Sequence, residues 1–148
     1  MNSFETVVKK ASLQEIKTHL EECSDSFFPP LSSYVNINDY SKKLYKLSST
    51  FEAWENGKLV GLVATYMNDQ KKEAYISNVS VLPDYQGKGI SKTLLNRTIK
   101  EAKIKSYISI KLEVKQDNIK AITLYQKLGF EISRKHIFNN NLEMSLVL

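Results

Sequence analysis
A strand that runs into a glycine turn and comes out as a helix constrains this chain more than anything else in it. From Ala74 to Leu95 the sequence reads A-Y-I-S-N-V-S-V-L-P-D-Y-Q-G-K-G-I-S-K-T-L-L. Tyr75 to Leu82 is rich in β-branched and aromatic residues, which predicts a strand. Pro83-Asp84 ends it, because proline has no N–H to give to a ladder. After Gln86-Gly87-Lys88-Gly89-Ile90-Ser91, Ile90, Leu94 and Thr98 recur at helical spacing, with Leu95 and Ile99 beside them. A strand, a glycine turn and a helix start leave several backbone N–H groups unpaired. Together with the positive end of the helix dipole they make a seat for phosphate. Gly87 and Gly89 let the backbone approach a ligand, since neither carries a Cβ.

The segment V-S-V-L-P-D-Y-Q-G-K-G-I-S resembles the acetyl-CoA motif of the GNAT superfamily of N-acetyltransferases, whose core pattern is Gln/Arg-x-x-Gly-x-Gly/Ala. Gln86, Gly89 and Ser91 occupy its three places. Ser91 departs from the usual Gly or Ala, and its hydroxyl can cap the helix or meet a phosphate. Further on, Leu112-Glu113-Val114, Asn118, Ala121, Leu124-Tyr125 and Leu128-Gly129-Phe130 resemble the family's L-E-V…N…A…L-Y…G-F signature in order and spacing. The detailed resemblance covers about Tyr75 to Phe130. A glycine turn alone is a weak signal, whereas two motifs in register are a specific one.

Composition agrees with a compact enzyme. The 148 residues suit one domain spanning 1–148, long enough to bury a core. The net charge of +5 is nearly all lysine excess, Arg97 and Arg134 being the only arginines. The lysines are scattered and accompany no aromatic–basic motif, which argues against nucleic acid and for a solvated surface. Cys23 is the only cysteine, so neither a disulfide framework nor a cysteine metal cluster can form. It continues the stripe Leu13, Ile16, Leu20 and reads as a core residue. No apolar run approaches the roughly 20 residues of a membrane span, and the N-terminus is polar, so a cytoplasmic protein without membrane or metal is expected.

Taken in order, Phe4 to Lys9 predicts a strand. Ser12 and Glu15 form a capping-box pattern for a helix to about Cys23. Ser24 to Asn36, with Pro29 and Pro30, cannot be regular helix or ladder. Asn38 or Asp39 is expected to cap a second helix to about Leu47. Thr50 to Glu55 and Lys58 to Met67 read as a hairpin about Asn56-Gly57. The central strand, its helix to about Lys105 and the alternating strand Ile108 to Val114 make a parallel crossover. Asn118 begins the fourth helix and Gly129 ends it. Phe130 to Phe138 and Leu142 to Val147 flank the turn Asn139–Asn141. The fold class is α/β, a mixed sheet of about seven strands with four helices in the order β-α-α-β-β-β-α-β-α-β-β, which is the order the resemblance implies.

The resemblance also implies a site. Pantetheine of acetyl-CoA would lie between the splayed strands, on the backbone of Val79 and Val81 with Ser80 between them. Pyrophosphate would sit on Gly87, Lys88, Gly89, Ile90, Ser91 and Lys92, with Gln86 also among the cofactor contacts, although Lys88 and Lys92 also read as plain exposed charges. Tyr125 would face the CoA sulfur as general acid, against the ordinary alternative of an aromatic packed on the core. Glu113 would be the base, against the alternative of an exposed charge. Asn118 caps a helix and in relatives also touches the cofactor. The proline loop reads either as a cover for the core or as a wall of the acceptor pocket, with Phe28, Pro29, Leu31 and Tyr34 as candidate contacts. His136 borders that pocket, and His19 reads as a surface residue of the first helix. No metal site is expected.

These expectations describe direct acetyl transfer from acetyl-CoA to a primary amine, with no acetyl-cysteine step because Cys23 lies far along the chain from the thioester site. Proton cost ranks the acceptors. At pH 7 a lysine amine must give up about 4–5 kcal/mol to be neutral, an α-amine only about 1. Ring oxygens acidify aminosugar amines likewise. A site with one candidate base therefore suits a small-molecule amine such as an aminosugar or sugar nucleotide, with a protein N-terminal α-amine next. A non-catalytic CoA-binding module is the alternative of another class. Both a monomer and a homodimer fit.

Overall fold
The computed structural model describes residues 4–27 and 29–148. The elements are β1 (Glu5–Val8), α1 (Leu13–Cys23), α2 (Ile37–Leu47), β2 (Ser49–Glu55), β3 (Lys58–Asn68), β4 (Glu73–Val81), α3 (Ile90–Ile104), β5 (Ser109–Lys115), α4 (Ile119–Lys127), β6 (Glu131–Lys135) and β7 (Asn141–Val147). This is the expected order. Single 3-10 turns occupy Ser24–Ser26 and Leu31–Ser33 within the proline loop, and Pro83–Tyr85 after β4.

Local chemistry explains most boundaries. The capping box forms, with Ser12 Oγ accepting from Glu15 N–H and Glu15 Oε1 accepting from Ser12 N–H. The cap of α2 is Asn36 rather than Asn38 or Asp39. Its Oδ1 accepts from the Asp39 N–H at 3.0 Å, which places the capping side chain three residues before the amide it serves. Strand β6 stops at Lys135 rather than Phe138. Asn139 Oδ1 accepts from Asn141 N–H at 3.0 Å, so an asparagine-closed turn consumes the end of the expected strand.

The strands form one sheet in the order β1-β2-β3-β4-β5-β7-β6. Only β4 and β5 pair in parallel, and that pairing runs from Glu73↔Ser109 to Ile76↔Leu112 and no further. Beyond it β4 keeps its partner β3, while β5 keeps β7. At this point Thr65 pairs with Ile76 and Ala64 with Asn78, so Ser77 is an extra, bulged residue. The bulge resets the alternation of β4. Ala74, Ile76 and Val81 belong to one core, and Val79 packs on it, whereas Ser80 turns to the opposite face.

That core holds the inner faces of α3 and α4, including Ile90, Leu94, Leu95, Ile122 and Tyr125. A second core packs Ile16 and Leu20 of α1 and Leu44 of α2 on Leu59, Leu62 and Ala64 of β3. Gly61 of β3 lets α3 come close: a Cβ there would meet Ile90 Cγ2 at 2.5 Å. The start of α3 is thereby held against the sheet beside β4. No helix among the described residues is long and apolar enough to cross a membrane.

Glu52, fully buried on β2, fastens the entry to α1. Its carboxylate accepts from the backbone N–H of Lys10 and Ala11 at 3.0–3.2 Å, from Thr50 Oγ1 at 2.5 Å and from Trp54 Nε1 at 2.9 Å. A buried carboxylate is tolerated because four donors replace its water. Glu52→Ala strands those donors, each costing about 1–3 kcal/mol when left unmet. We expect the variant to lose at least about 3 kcal/mol in urea unfolding, with Glu52→Gln losing less.

Candidate active site
Where β4 and β5 part, the backbone of β4 faces an open gap. Leu82 N–H donates to Val60 O of β3 at 2.9 Å, and strand alternation then turns Ser80 toward β3 and Val79 and Val81 away from it. Val81 O accepts from Gln86 Nε2 at 3.3 Å, which agrees with that direction. The strand next turns into the start of α3. Gly87 and Gly89 have φ of 79° and 78°, a region that glycine enters without strain, and a Cβ on either would meet nothing within 4 Å. Gly89 occupies the helix cap, so Ser91 is not the capping residue. The first intrahelical bond is Thr93 N–H to Gly89 O, which leaves the N–H groups of Ile90, Ser91 and Lys92 as the unpaired donors of the first turn. Lys88 stands over the Tyr85 ring, its Nζ 5.1 Å from the centroid.

Two side chains of interest lie on opposite faces of the sheet. Tyr125 of α4 is buried in the core that also holds Val81 and Val114. It meets Phe130 edge to face at 5.9 Å, and burial pushes its hydroxyl up to about 12. Asn118 caps α4, its Oδ1 accepting from Ala121 N–H at 3.2 Å. Glu113 is the first residue of β5 beyond the last β4–β5 pair, on the face opposite Leu112 and Val114. Its Oε2 accepts from Asn141 Nδ2 at 3.2 Å, and its Oε1 lies 3.0 Å from His136 Nε2.

The proline loop divides. Phe28 lies outside the described residues, Pro29 is exposed, Leu31 is buried in the core beneath α1 and α2, and Tyr34 is 56 % exposed. A row of tyrosines lies nearby that motif spacing does not pick out. Tyr40 of α2 reaches Ser77 at the bulge, donating to its carbonyl at 3.1 Å with its Oγ at 2.7 Å. Tyr66 of β3 and Tyr75 of β4 are cross-strand partners. Burial pushes the Tyr40 and Tyr75 hydroxyls up to about 12.

His19 is the clearest departure from expectation: it is 2 % exposed rather than a surface residue. Its ring bridges α1 to the sheet, with Nδ1 3.0 Å from Leu59 O and Nε2 2.9 Å from Ser80 Oγ. Ser80 Oγ also reaches Asn78 Oδ1 at 2.7 Å. Cys23 Sγ lies 3.6 Å from the same Nε2, its thiol pushed up to about 12 by burial. Burial holds His19 down at about 4, so the ring is neutral and Nδ1–H donates to Leu59 O. Spacing held the clue, since His19 falls three residues after Ile16 and four before Cys23 on the buried stripe.

The sequence profile of the Acetyltransferase (GNAT) family matches residues 13–130. The chain belongs to this family. Its curated relatives include the [ribosomal protein bS18]-alanine N-acetyltransferase of Escherichia coli K12, 36% identical over 80 residues, or 54% of this chain and 53% of that protein. Another is an uncharacterized N-acetyltransferase of Methanocaldococcus jannaschii, 38% identical over 81 residues, 51% of this chain and 36% of that protein. The chain spans about half the length, or less, of these curated relatives. In fold it is similar to the E. coli S18-alanine N-acetyltransferase crystal structure, with TM-score 0.77 and 22% identity over 97% of this chain and 94% of that one. It is also similar to the PaiA N-acetyltransferase of Thermoplasma acidophilum in complex with coenzyme A, with TM-score 0.75 and 18% identity over 97% and 99%. Coenzyme A fits the residues present here, because the open glycine turn, the free N–H groups of α3 and the outward backbone of Val79 and Val81 are donors for an extended anionic ligand.

Two measurements follow from this geometry. Gly89→Glu places bulk and negative charge at the cap of α3, and acetyl-CoA affinity by titration should fall more than tenfold, a loss of over about 1.4 kcal/mol. The other concerns His19. Between its ordinary value of 6.5 and about 4 the unfolded chain binds a proton that the folded chain refuses, so stability is complete above that window and falls as pH drops through it. The loss amounts to up to about 3 kcal/mol. Urea unfolding at pH 7 and pH 4 should show it in the wild type and not in His19→Gln.

Proposed function
We propose that this GNAT-family chain transfers acetyl directly from acetyl-CoA to a primary amine, and that the amine is the α-amine of a protein or peptide N-terminus. The observation that carries the reading is the gap between β4 and β5, with outward backbone donors at Val79 and Val81 and with Glu113 and Tyr125 on its two sides. Acetyl-CoA supplies the thioester. The chain's own groups do the rest. The N–H groups facing the gap are placed to hold the developing oxyanion. Glu113 receives the amine's proton. Tyr125 hydrogen-bonds the departing sulfur. With its hydroxyl near 12 against ~8.5 for a thiol, full proton transfer to a thiolate would cost roughly 5 kcal/mol, so a hydrogen bond is the part it plays. Direct transfer is supported by Cys23, whose buried, protonated thiol is no nucleophile.

The α-amine moves ahead of the aminosugar preferred from sequence because the curated relatives that align through half of the chain include bS18-alanine N-acetyltransferases. Its low proton cost suits a site with a single carboxylate base. One observation keeps the aminosugar as the second reading: the phenols of Tyr66 and Tyr75, cross-strand partners on β3 and β4, offer hydroxyls to a polyhydroxylated ring. Steady-state CoA release with an alanine-initiated peptide, aminosugars and a lysine side chain separates the readings. We expect the peptide α-amine to have the highest kcat/KM, and preference for the lysine would overturn the reading. No turnover of any amine despite tight acetyl-CoA binding would point to a non-catalytic CoA module.

With the preferred amine, Tyr125→Phe should lower kcat about tenfold or more with little change in KM for acetyl-CoA, the pattern of a contact made mainly in the transition state.

A further inference from the structure
The polar face of β5 and β7 ends in a group of residues that the reaction above uses only in part. Both oxygens of Glu113 are engaged, one by Asn141 Nδ2 and the other by close approach of His136 Nε2. The imidazole contact is short, 3.0 Å, yet it is not a hydrogen bond. Among the described residues that nitrogen has no hydrogen-bond partner, although it is shut off from solvent. Buried polar atoms without partners are rare and mark a group whose partner arrives with function. A ring nitrogen beside a carboxylate is a seat for a proton.

Charges of both signs surround it. Glu143 of β7 is the cross-strand partner of Glu113, and like charges placed so repel. Arg134 of β6 pairs with Glu143 on its other side. Lys111 and Lys115 flank Glu113 on β5, Lys135 precedes His136, and Asp117 is held by Asn140 across the turn. Tyr75 of β4 lies within the field of both glutamates, which add to burial in raising its hydroxyl.

We propose that Glu113 and His136 act together as one proton acceptor for the substrate ammonium, an inference that rests on the acetyl-transfer reading. The proton leaves the ammonium for a Glu113 oxygen, directly or across one water. It passes on to Nε2 of His136, leaving a carboxylate beside an imidazolium. The freed lone pair forms the C–N bond as the C–S bond breaks, and a second proton of the same nitrogen ends on the sulfur. His136 then returns its proton to solvent. Glu113 is the group that meets the substrate. His136 acts through it and is a positioning residue, placing the proton rather than touching the amine.

The test is kcat/KM against pH for wild type, His136→Gln and His136→Asn with whichever amine proves best, with acetyl-CoA affinity measured on each as a check on the fold. We expect His136→Gln to lose about tenfold or more near pH 7, to change the shape of the acid limb, and to approach wild type at high pH where the amine is already free. Acetyl-CoA affinity should stay within about twofold, and adding His136→Gln to Glu113→Gln should cost nothing further, as expected of groups acting as a unit. An acid limb of wild-type shape in both histidine variants, whether activity is kept or lost equally at every pH, would overturn the pairing alone. A wild-type protein that turns over no amine would overturn the acetyl-transfer reading and the pairing together.

Discussion
The end of hydrogen bonding between β4 and β5 is the constraint on which the rest of the site depends. Four register pairs join the two strands, and the bulge at Ser77 then lets β4 follow β3 while β5 follows β7. A sheet interior that stops pairing leaves main-chain donors and acceptors unmet, which is costly unless something fills the space. Here those groups border a gap at the start of α3, where three more N–H groups are free. One local failure of pairing thus leaves an extended run of polar main chain that ends at the glycine turn. The close approach of α3 to β3 at Gly61 keeps the two halves of that run in register.

The gap also separates two chemistries. On one side α4 presents Tyr125 from an apolar core, where burial keeps the phenol protonated. On the other, the face of β5 and β7 carries Glu113, Glu143, Asn141 and the end of β6 with His136, a polar and largely ionic surface. A phenol and a carboxylate so divided by the sheet stay apart. Period-two alternation makes the division, because consecutive residues of β5 point to opposite faces.

Two buried polar groups hold this arrangement from beneath. Glu52 ties the β1–α1 connection to β2, and His19 ties α1 to Leu59 of β3 and Ser80 of β4. Both are satisfied by donors and acceptors drawn from remote parts of the chain. Ser80 lies between the two residues whose backbone faces the gap, so the His19 contact anchors β4 beside that gap.

Much of this was legible in the sequence because it is local. The capping box of α1, the glycine turn, the Asn118 cap and the alternation of β5 each depend on neighbours within a few residues, and each stands where short-range chemistry puts it. The cap of α2 slipped by two or three residues because Asn36, Asn38 and Asp39 are all capping types, and only the chain path selects among them. What tertiary structure alone decided involves long separations. His19 meets Ser80 sixty-one residues away and Asn141 meets Glu113 across twenty-eight. No periodicity encodes such pairs. Sequence by itself determined the order of elements, the glycine turn and the family. Which polar side chains were buried, which were brought together and which atom was left without a partner followed only from packing, because hydrogen bonding between distant residues depends on where the sheet stops pairing.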